Sequence, residues 1–238
     1  MNEIMNLKKA ASHIHMEERE LLHCVQRGEI KAIKRGEDYC FEHRELDEWA
    51  QRHLLSSGRR ELGRQHEEIL KENRREKAAD WGVSSLLNKA SIELNLASKT
   101  KGGVLRDMVE VCERSGLVYD SDVVYRELVA REEAASTAVG GGAAFLHPRW
   151  HDPFYFEQTF IAYARAQRPI YFGAPDDEPT RHFFVVCSTD HELHLHILAR
   201  LAVMVHGDDL LAKLDEVADA DAVVAAIEEC EKKWIDKK

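Results

Sequence analysis

No run of 18 apolar residues occurs anywhere in this chain of 238 residues, so nothing in it is expected to span a membrane. Nor does the opening stretch, MNEIMNLKKAASHI, contain the apolar block of a secretory signal. The expectation is a cytoplasmic protein. Cysteine is sparse: Cys24, Cys40, Cys112, Cys187 and Cys230 lie far apart and form no C-x-x-C. That pattern reads as reduced thiols rather than a disulfide framework. Cys112, Cys187 and Cys230 sit in or beside apolar runs and read as small core residues. Also missing are G-x-x-x-x-G-K-[ST] and a usable G-x-G-x-x-G, which removes the common nucleotide-binding loops.

What is there suffices for a packed interior, since 44% of the residues are hydrophobic. The length fits one large or two small domains. The formal net charge of -10 is unevenly spread: residues 1–80 hold 16 Lys+Arg against 17 Asp+Glu, and the rest of the chain 17 against 26. An acidic C-terminal part is a poor nucleic-acid ligand by itself. Texture divides the chain into a mixed segment at 1–52, a segment at 53–80 dominated by Arg, Glu and Lys, and a segment at 81–238 with apolar runs, a glycine cluster and helical periodicity.

In the first segment Leu7, Ala10, Ala11 and Ile14 share one helical face. A second helix, Glu17 to Gln26, buries Leu21, Leu22 and Val25 and ends at Gly28. Ile30 and Ile33 lead to a turn at Arg35-Gly36, Tyr39 and Phe41 alternate on a strand, and a helix from Arg44 to Gln51 returns Leu46 and Trp49 to the core. The order of LKKAASHI, RGEIKAIKRGEDYCF and HRELDEWA resembles the excisionase and MerR-like helix-turn-helix domains. That resemblance implies a small winged-helix-like domain at 1–52. Its second helix would enter the major groove of double-stranded DNA while the wing follows the backbone. Arg19, Arg27, Lys31, Lys34 and Arg35 are the candidate DNA-binding residues. One departure is acidic: the second helix opens Glu17-Glu18-Arg19-Glu20, carboxylates that would face phosphates of like sign. A retained fold with little affinity for DNA is therefore the competing reading.

Between these parts, Leu55, Leu62 and Ile69 follow a seven-residue spacing, but Gly58, His66 and Asn73 leave the seam without apolar partners. A charged helical linker at 53–80 is expected rather than a coiled coil.

The segment from Arg131 to Arg149, REEAASTAVGGGAAFLHPR, carries the chemistry. A helix over Asp122–Glu133 ends before Ser136 and Thr137. Gly140, Gly141 and Gly142 allow a tight loop whose backbone N–H groups can point at an anion. A short strand, Ala143 to Leu146, then delivers His147. A neutral imidazole among amides, hydroxyls and an arginine can attack phosphorus, with the donors stabilising the equatorial oxygens. Further on, Thr189 and Glu192 have capping-box spacing and start a helix on which His194 shares a stripe with Leu198 and Leu201. An inward histidine there is either a hydrogen-bonded core residue or part of the site. The spacing of His191, His194 and His196 matches no zinc helix motif such as H-E-x-x-H, so neither metal nor cofactor is expected.

Arg131-Glu132, Ser136-Thr137, Gly140–Gly142, the strand ending in His147, and His194-Leu195-His196-Ile197-Leu198 together resemble the type-2 enzyme IIA domain of the bacterial phosphotransferase system, its fructose, mannitol and nitrogen-related branch. The resemblance covers about residues 84–234. It implies an α/β fold, a mixed β-sheet flanked by helices, in the domain at 81–238. It also implies that His147 accepts a phosphoryl group from an HPr-like phosphocarrier protein. His194 would hydrogen-bond the phosphate, Arg131 would anchor it or hold the loop, and Ser136 and Thr137 would support the loop. Strands are expected over Ser91–Leu96, Ala143–Leu146, Thr159–Ala164, Pro169–Phe172 and His182–Ser188. Helices are expected over Gly103–Arg114, Asp122–Glu133, Asp190–Val205, Asp208–Leu214 and Ala220–Trp234. Two departures stand out: Leu146 replaces a proline of the family pattern and Pro148 a glycine, and the loop reads Thr-Ala-Val-Gly rather than Thr-Gly-Ile-Gly. Pro148 biases His147 to extended geometry and removes an N–H.

Three functions follow. The first is a regulator whose phosphorylation at His147 alters what its helix-turn-helix unit, or a partner kinase or transporter, does. The second is a phosphocarrier passing the group to a membrane sugar permease. The third is an interaction protein without phosphotransfer.

Overall fold

The computed structural model describes residues 4–14, 16–36, 38–56, 82–149, 154–207 and 209–235. From residue 57 to 80 the expected linker lies outside the described residues. The chain divides into two compact units, Met1–Ala78 and Ala79–Lys238, each described by itself.

The first unit contains β1 (Ile4–Asn6), α1 (Leu7–His13), α2 (Glu18–Gln26), β2 (Ile33–Arg35), β3 (Asp38–Glu42) and α3 (His43–Ser56). The Asn6 side chain accepts from the Lys9 amide and so caps α1. Helical spacing turns Ala10 and Ala11 inward on α1, and Leu21 and Cys24 inward on α2. Gly28, at φ +73°, makes the left-handed turn that closes α2. The three strands form an antiparallel sheet in the order β1-β3-β2. Phe41, Leu46 and Trp49 complete the interior. Strand β1 has no sequence signature, because three residues are too few to show a period.

The second unit runs α4 (Val83–Leu86), β4 (Leu87–Leu96), α5 (Lys101–Glu113), α6 (Ser121–Ala134), β5 (Ala138–Gly140), β6 (Ala143–Leu146), β7 (Phe160–Ile170), β8 (Thr180–Cys187), α7 (His191–Gly207), α8 (Leu210–Glu216) and α9 (Ala220–Ile235). Its sheet is mixed, in the order β4-β7-β8-β6-β5. Strands β4 and β7 are parallel, β7 and β8 antiparallel, β6 and β8 parallel, and β5 and β6 antiparallel. The two strands expected around residues 159–172 are largely one, β7, whose pairing with β8 shifts register between Arg165 and Ile170.

Strand alternation builds a core on each face of the sheet. Phe183, Val185 and Cys187 join Leu146, Phe160 and Ala162 against Val104, Met108 and Cys112 of α5 and Val124 and Leu128 of α6. On the other face Phe184 meets Phe145 and Tyr163, with ring centroids 5.9 and 4.9 Å apart. Helix α7 packs on β8, and α9 packs on β4 and α4. Each fully buried phenylalanine of this kind contributes about 2–3 kcal/mol of transfer free energy. Thr100 caps α5 and Asp120 caps α6 through hydrogen bonds of 3.1 and 3.0 Å. The cap of α7 is Asp190, whose Oδ1 accepts from the Leu193 amide at 2.8 Å, rather than Thr189. Thr189 instead directs its amide to the Thr159 hydroxyl. Among the described residues no helix is long and apolar enough to cross a membrane.

Candidate phosphoryl-accepting site

Because β6 and β8 are parallel, the segments that follow them leave the sheet at the same end. His147 follows β6 directly, and Ser188–Asp190 lead from β8 into α7. A ligand crevice is expected at the C-terminal ends of such strands. Helix α6 ends beside it, since the Phe145 amide donates to the Thr137 carbonyl at 3.0 Å and Ala135–Thr137 link α6 to β5.

Three side chains converge there, and all are buried: Arg131, His147 and His194. Arg131 Nε donates to His147 Nε2 across 3.0 Å, and its Nη1 donates to the Ala135 carbonyl at 2.8 Å. The rings of His147 and His194 stand edge to face, with centroids 4.9 Å apart and planes at 62°. His147 Nδ1 lies 2.8 Å from the Phe145 carbonyl oxygen. A carbonyl only accepts, so Nδ1 carries the ring proton. Nε2 faces a guanidinium N–H, which only donates, so Nε2 keeps its lone pair. Tautomer is thus assigned from geometry: Nδ1 bears the proton and Nε2 is the nitrogen with an in-plane lone pair.

Residues 85–230 match the family model described as "Phosphoenolpyruvate-dependent sugar phosphotransferase system, EIIA 2". The chain belongs to this family. Among curated relatives, the "PTS system fructose-specific EIIA component" of Haloferax volcanii is 28% identical over 143 residues, 59% of this chain and 91% of that protein. The "Nitrogen regulatory protein" of Bradyrhizobium diazoefficiens is 32% identical over 106 residues, 44% of this chain and 67% of the relative. The "PTS system fructose-specific EIIABC component" of Bacillus subtilis is 27% identical over 152 residues, 63% of this chain, yet this chain spans only 24% of that protein's length. Among solved structures, the nitrogen regulatory protein IIA-Ntr of Neisseria meningitidis superposes with a TM-score of 0.55 at 26% identity, covering 61% of this chain and 98% of the other. IIA mannitol of Escherichia coli, at 18% identity and a TM-score of 0.52, covers 59% of this chain and 98% of its own and shares the fold.

Within the enzyme IIA domain the glycine cluster is not where its place in the sequence suggests. Gly140, Gly141 and Gly142 form the β5–β6 turn, all with positive φ, at the start of β6. His147 lies beyond the other end of that strand. Five extended residues place the turn about 16 Å from it. The Gly141 amide donates to Asp176 Oδ2 at 2.8 Å, and the Gly142 carbonyl accepts from the Arg181 and His182 amides. A Cβ at Gly140 would lie 2.9 Å from Asp176 Oδ2 and displace that carboxylate, and its φ of +84° favours glycine. The glycines shape a hairpin and cradle no phosphate beside the histidine.

Ser136 and Thr137 lie near the site, with their hydroxyls engaged elsewhere. Ser136 Oγ donates to the Phe172 carbonyl at 3.0 Å. The Thr137 hydroxyl and its amide both donate to Glu132, the amide at 2.9 Å. Buried Glu132 is also ion-paired with Lys101 at 2.5 Å. This carboxylate locks the turn between α6 and β5 and thereby seats its neighbour Arg131. The Arg-Glu pair is visible in the sequence, but nothing there gives Glu132 this role. The Phe145 carbonyl is equally illegible, because a backbone acceptor leaves no residue-type signal.

In the first unit Arg19 is exposed on α2 and Lys34 on β2, and Arg35 belongs to β2. Arg27 is paired with Glu29 at 2.8 Å and Lys31 with Glu45 at 3.6 Å. Glu17 and Glu18 are exposed at the start of α2.

Proposed function

We propose that the chain is a phosphoryl-accepting regulatory protein of the phosphotransferase system, phosphorylated on His147 Nε2 by an HPr-like carrier. The observation that carries this reading is the buried triad in which Phe145 holds the proton on Nδ1 and Arg131 faces Nε2. In the transfer, the Nε2 lone pair forms the new N–P bond as the carrier's N–P bond breaks. The carrier imidazole keeps the departing electron pair, and the ring proton stays on Nδ1, donated to the Phe145 carbonyl. The Arg131 guanidinium moves from the ring nitrogen to the phosphoryl oxygens, and the His194 ring supplies a further donor. Water is kept from the site by burial of all three side chains, which strengthens each of these contacts.

Regulation is favoured over sugar transport by the relatives named nitrogen regulatory proteins and by the presence of a second compact unit. In this reading the first unit acts as a helix-turn-helix module on DNA or on a partner. Exposed Arg19 and Lys34 support a DNA contact, and the paired state of Arg27 and Lys31 limits it. The relatives named fructose-specific components support the second reading, in which the phosphoryl group passes to a permease domain.

The deciding experiment incubates the protein with phosphoenolpyruvate, the system's first enzyme and its carrier, followed by mass spectrometry under alkaline handling. One phosphoryl group on His147 is expected. An unmodified His147 with every cognate carrier would leave an interaction protein only. DNA footprinting with phosphorylated and unmodified protein then separates the readings: no binding in either state removes the transcriptional one, and sugar-dependent loss of phosphate to a permease domain favours transport.

A further inference from the structure

His13 closes α1, and His43 opens α3. Asp47 lies one turn beyond His43, so the two project from one face of α3. His13 Nε2 is 2.7 Å from Asp47 Oδ1. His43 Nε2 is 3.1 Å from His13 Nε2 and 3.6 Å from Asp47 Oδ2. The three ligand atoms lie within 4.8 Å of one another, and no other group of three His, Cys, Asp or Glu side chains among the described residues does so.

Two physical points favour a cation. A four-coordinate ion about 2.0–2.1 Å from each ligand sets neighbouring ligand atoms about 3.3 Å apart, and the 3.1 Å between the two Nε2 atoms is close to that value, with one carboxylate oxygen of Asp47 near each ring. Protons also serve this geometry poorly. A neutral imidazole carries one ring proton, and His13 Nε2 faces a carboxylate oxygen and a second imidazole nitrogen at once. One N–H can be directed at only one of them. An ion bound by both Nε2 lone pairs and the carboxylate replaces that competition with three ligand bonds. Two nitrogens and one oxygen are a set that zinc takes readily. The side chains of His13 and Asp47 are 17% and 13% accessible and that of His43 35%, which leaves an opening for a solvent ligand.

We propose that the first unit binds one zinc-class divalent ion through His13, His43 and Asp47, with solvent completing the shell. The ion fastens the end of α1 to the start of α3. In so small a unit, metal-binding free energy adds directly to folding free energy. No sequence motif announces this site, because His13 and His43 lie 30 residues apart in the chain.

The test uses the untagged full chain, stripped with EDTA, titrated with zinc chloride by calorimetry and with cobalt(II) as a spectroscopic probe. The expected result is one ion per chain, four- or five-coordinate ligand-field absorption, and a thermal midpoint raised by zinc and restored by EDTA. His43→Gln and Asp47→Asn should each weaken binding by roughly tenfold or more, with circular dichroism confirming the fold. Absence of saturable binding, or a smaller loss in either variant, overturns the proposal. Should a variant unfold, the wild-type cobalt spectrum decides alone, and absorption like that of the hydrated ion counts against the site.

Discussion

The guanidinium of Arg131 donates from Nε to Nε2 of His147 at 3.0 Å, so the cation lies along the Nε2 lone pair, the direction from which phosphorus would approach in the proposed transfer. Under the proposed function the arginine covers that lone pair in the resting chain, and the same group would receive the phosphoryl oxygens once it moves aside. The hydrogen bond from its Nη1 to the Ala135 carbonyl ties the guanidinium to the turn that Glu132 and Thr137 hold.

Replacing Arg131 should affect rate before stability. Arg131→Gln removes the charge aimed at the phosphoryl group, and loss of one such donor costs about 10²–10³-fold in rate. Arg131→Lys keeps the charge but loses the rigid fork, so its rate should lie between the two. Single-turnover phosphorylation by the carrier measures this. Equal rates for wild type and Arg131→Gln would remove Arg131 from the site.

His194 should behave differently from His147. His147→Ala leaves no acceptor and should abolish labelling. His194→Gln retains the acceptor but not the edge-to-face ring at 4.9 Å, and should slow labelling by about 10²-fold. The buried position adds a stability loss of about 1–3 kcal/mol, read from denaturant titration. A variant that loses stability but phosphorylates at the wild-type rate would make His194 a core histidine only.

Much of this is legible in the sequence because it rests on periodicity. The helices at Lys101–Glu113 and Ser121–Ala134, and the strands at Ala143–Leu146 and Thr180–Cys187, carry apolar patterns that their burial reproduces. His194 on a stripe with Leu198 and Leu201 is readable for the same reason, and all three are buried. What sequence proximity hides is distance along a strand. Gly140–Gly142 are near His147 in sequence, and only the extended geometry of β6 reveals that they sit at its opposite end. Contacts that depend on backbone atoms, or on ligands brought together by tertiary packing, leave no local pattern. The Phe145 carbonyl and the cluster of His13, His43 and Asp47 are of that kind.

Gly141→Ala tests the displaced position of the glycines. Gly141 has φ +62° and open space where a methyl group would sit, so the substitution adds backbone strain without a clash. The cost should be about 1–2 kcal/mol in unfolding free energy. Phosphoryl acceptance by the folded protein should stay at the wild-type rate, because the turn is remote from Nε2. A large rate loss with intact stability would return the glycines to the site.

The last prediction concerns acid. His182 is buried on β8, with Nδ1 2.9 Å from the Tyr163 hydroxyl and Nε2 3.4 Å from Asp215 Oδ1. Burial lowers its pKa to about 4, with Arg181 and Arg165 adding to the effect and Asp215 opposing it. Burial also raises the Tyr163 phenol, so that hydroxyl remains a donor to Nδ1. In the unfolded chain the imidazole titrates near 6.5. Between about pH 6.5 and 4 the unfolded chain therefore binds a proton that the folded chain refuses. Stability from this group is complete above the upper limit and is lost as pH falls through the window. The shift corresponds to about 3 kcal/mol. His182→Asn keeps an acceptor for Tyr163 but does not titrate, so its stability should fall less between those pH values, by about that amount. Chemical denaturation of both proteins across the window measures the difference, and parallel curves would mean that His182 is not the group that resists protonation.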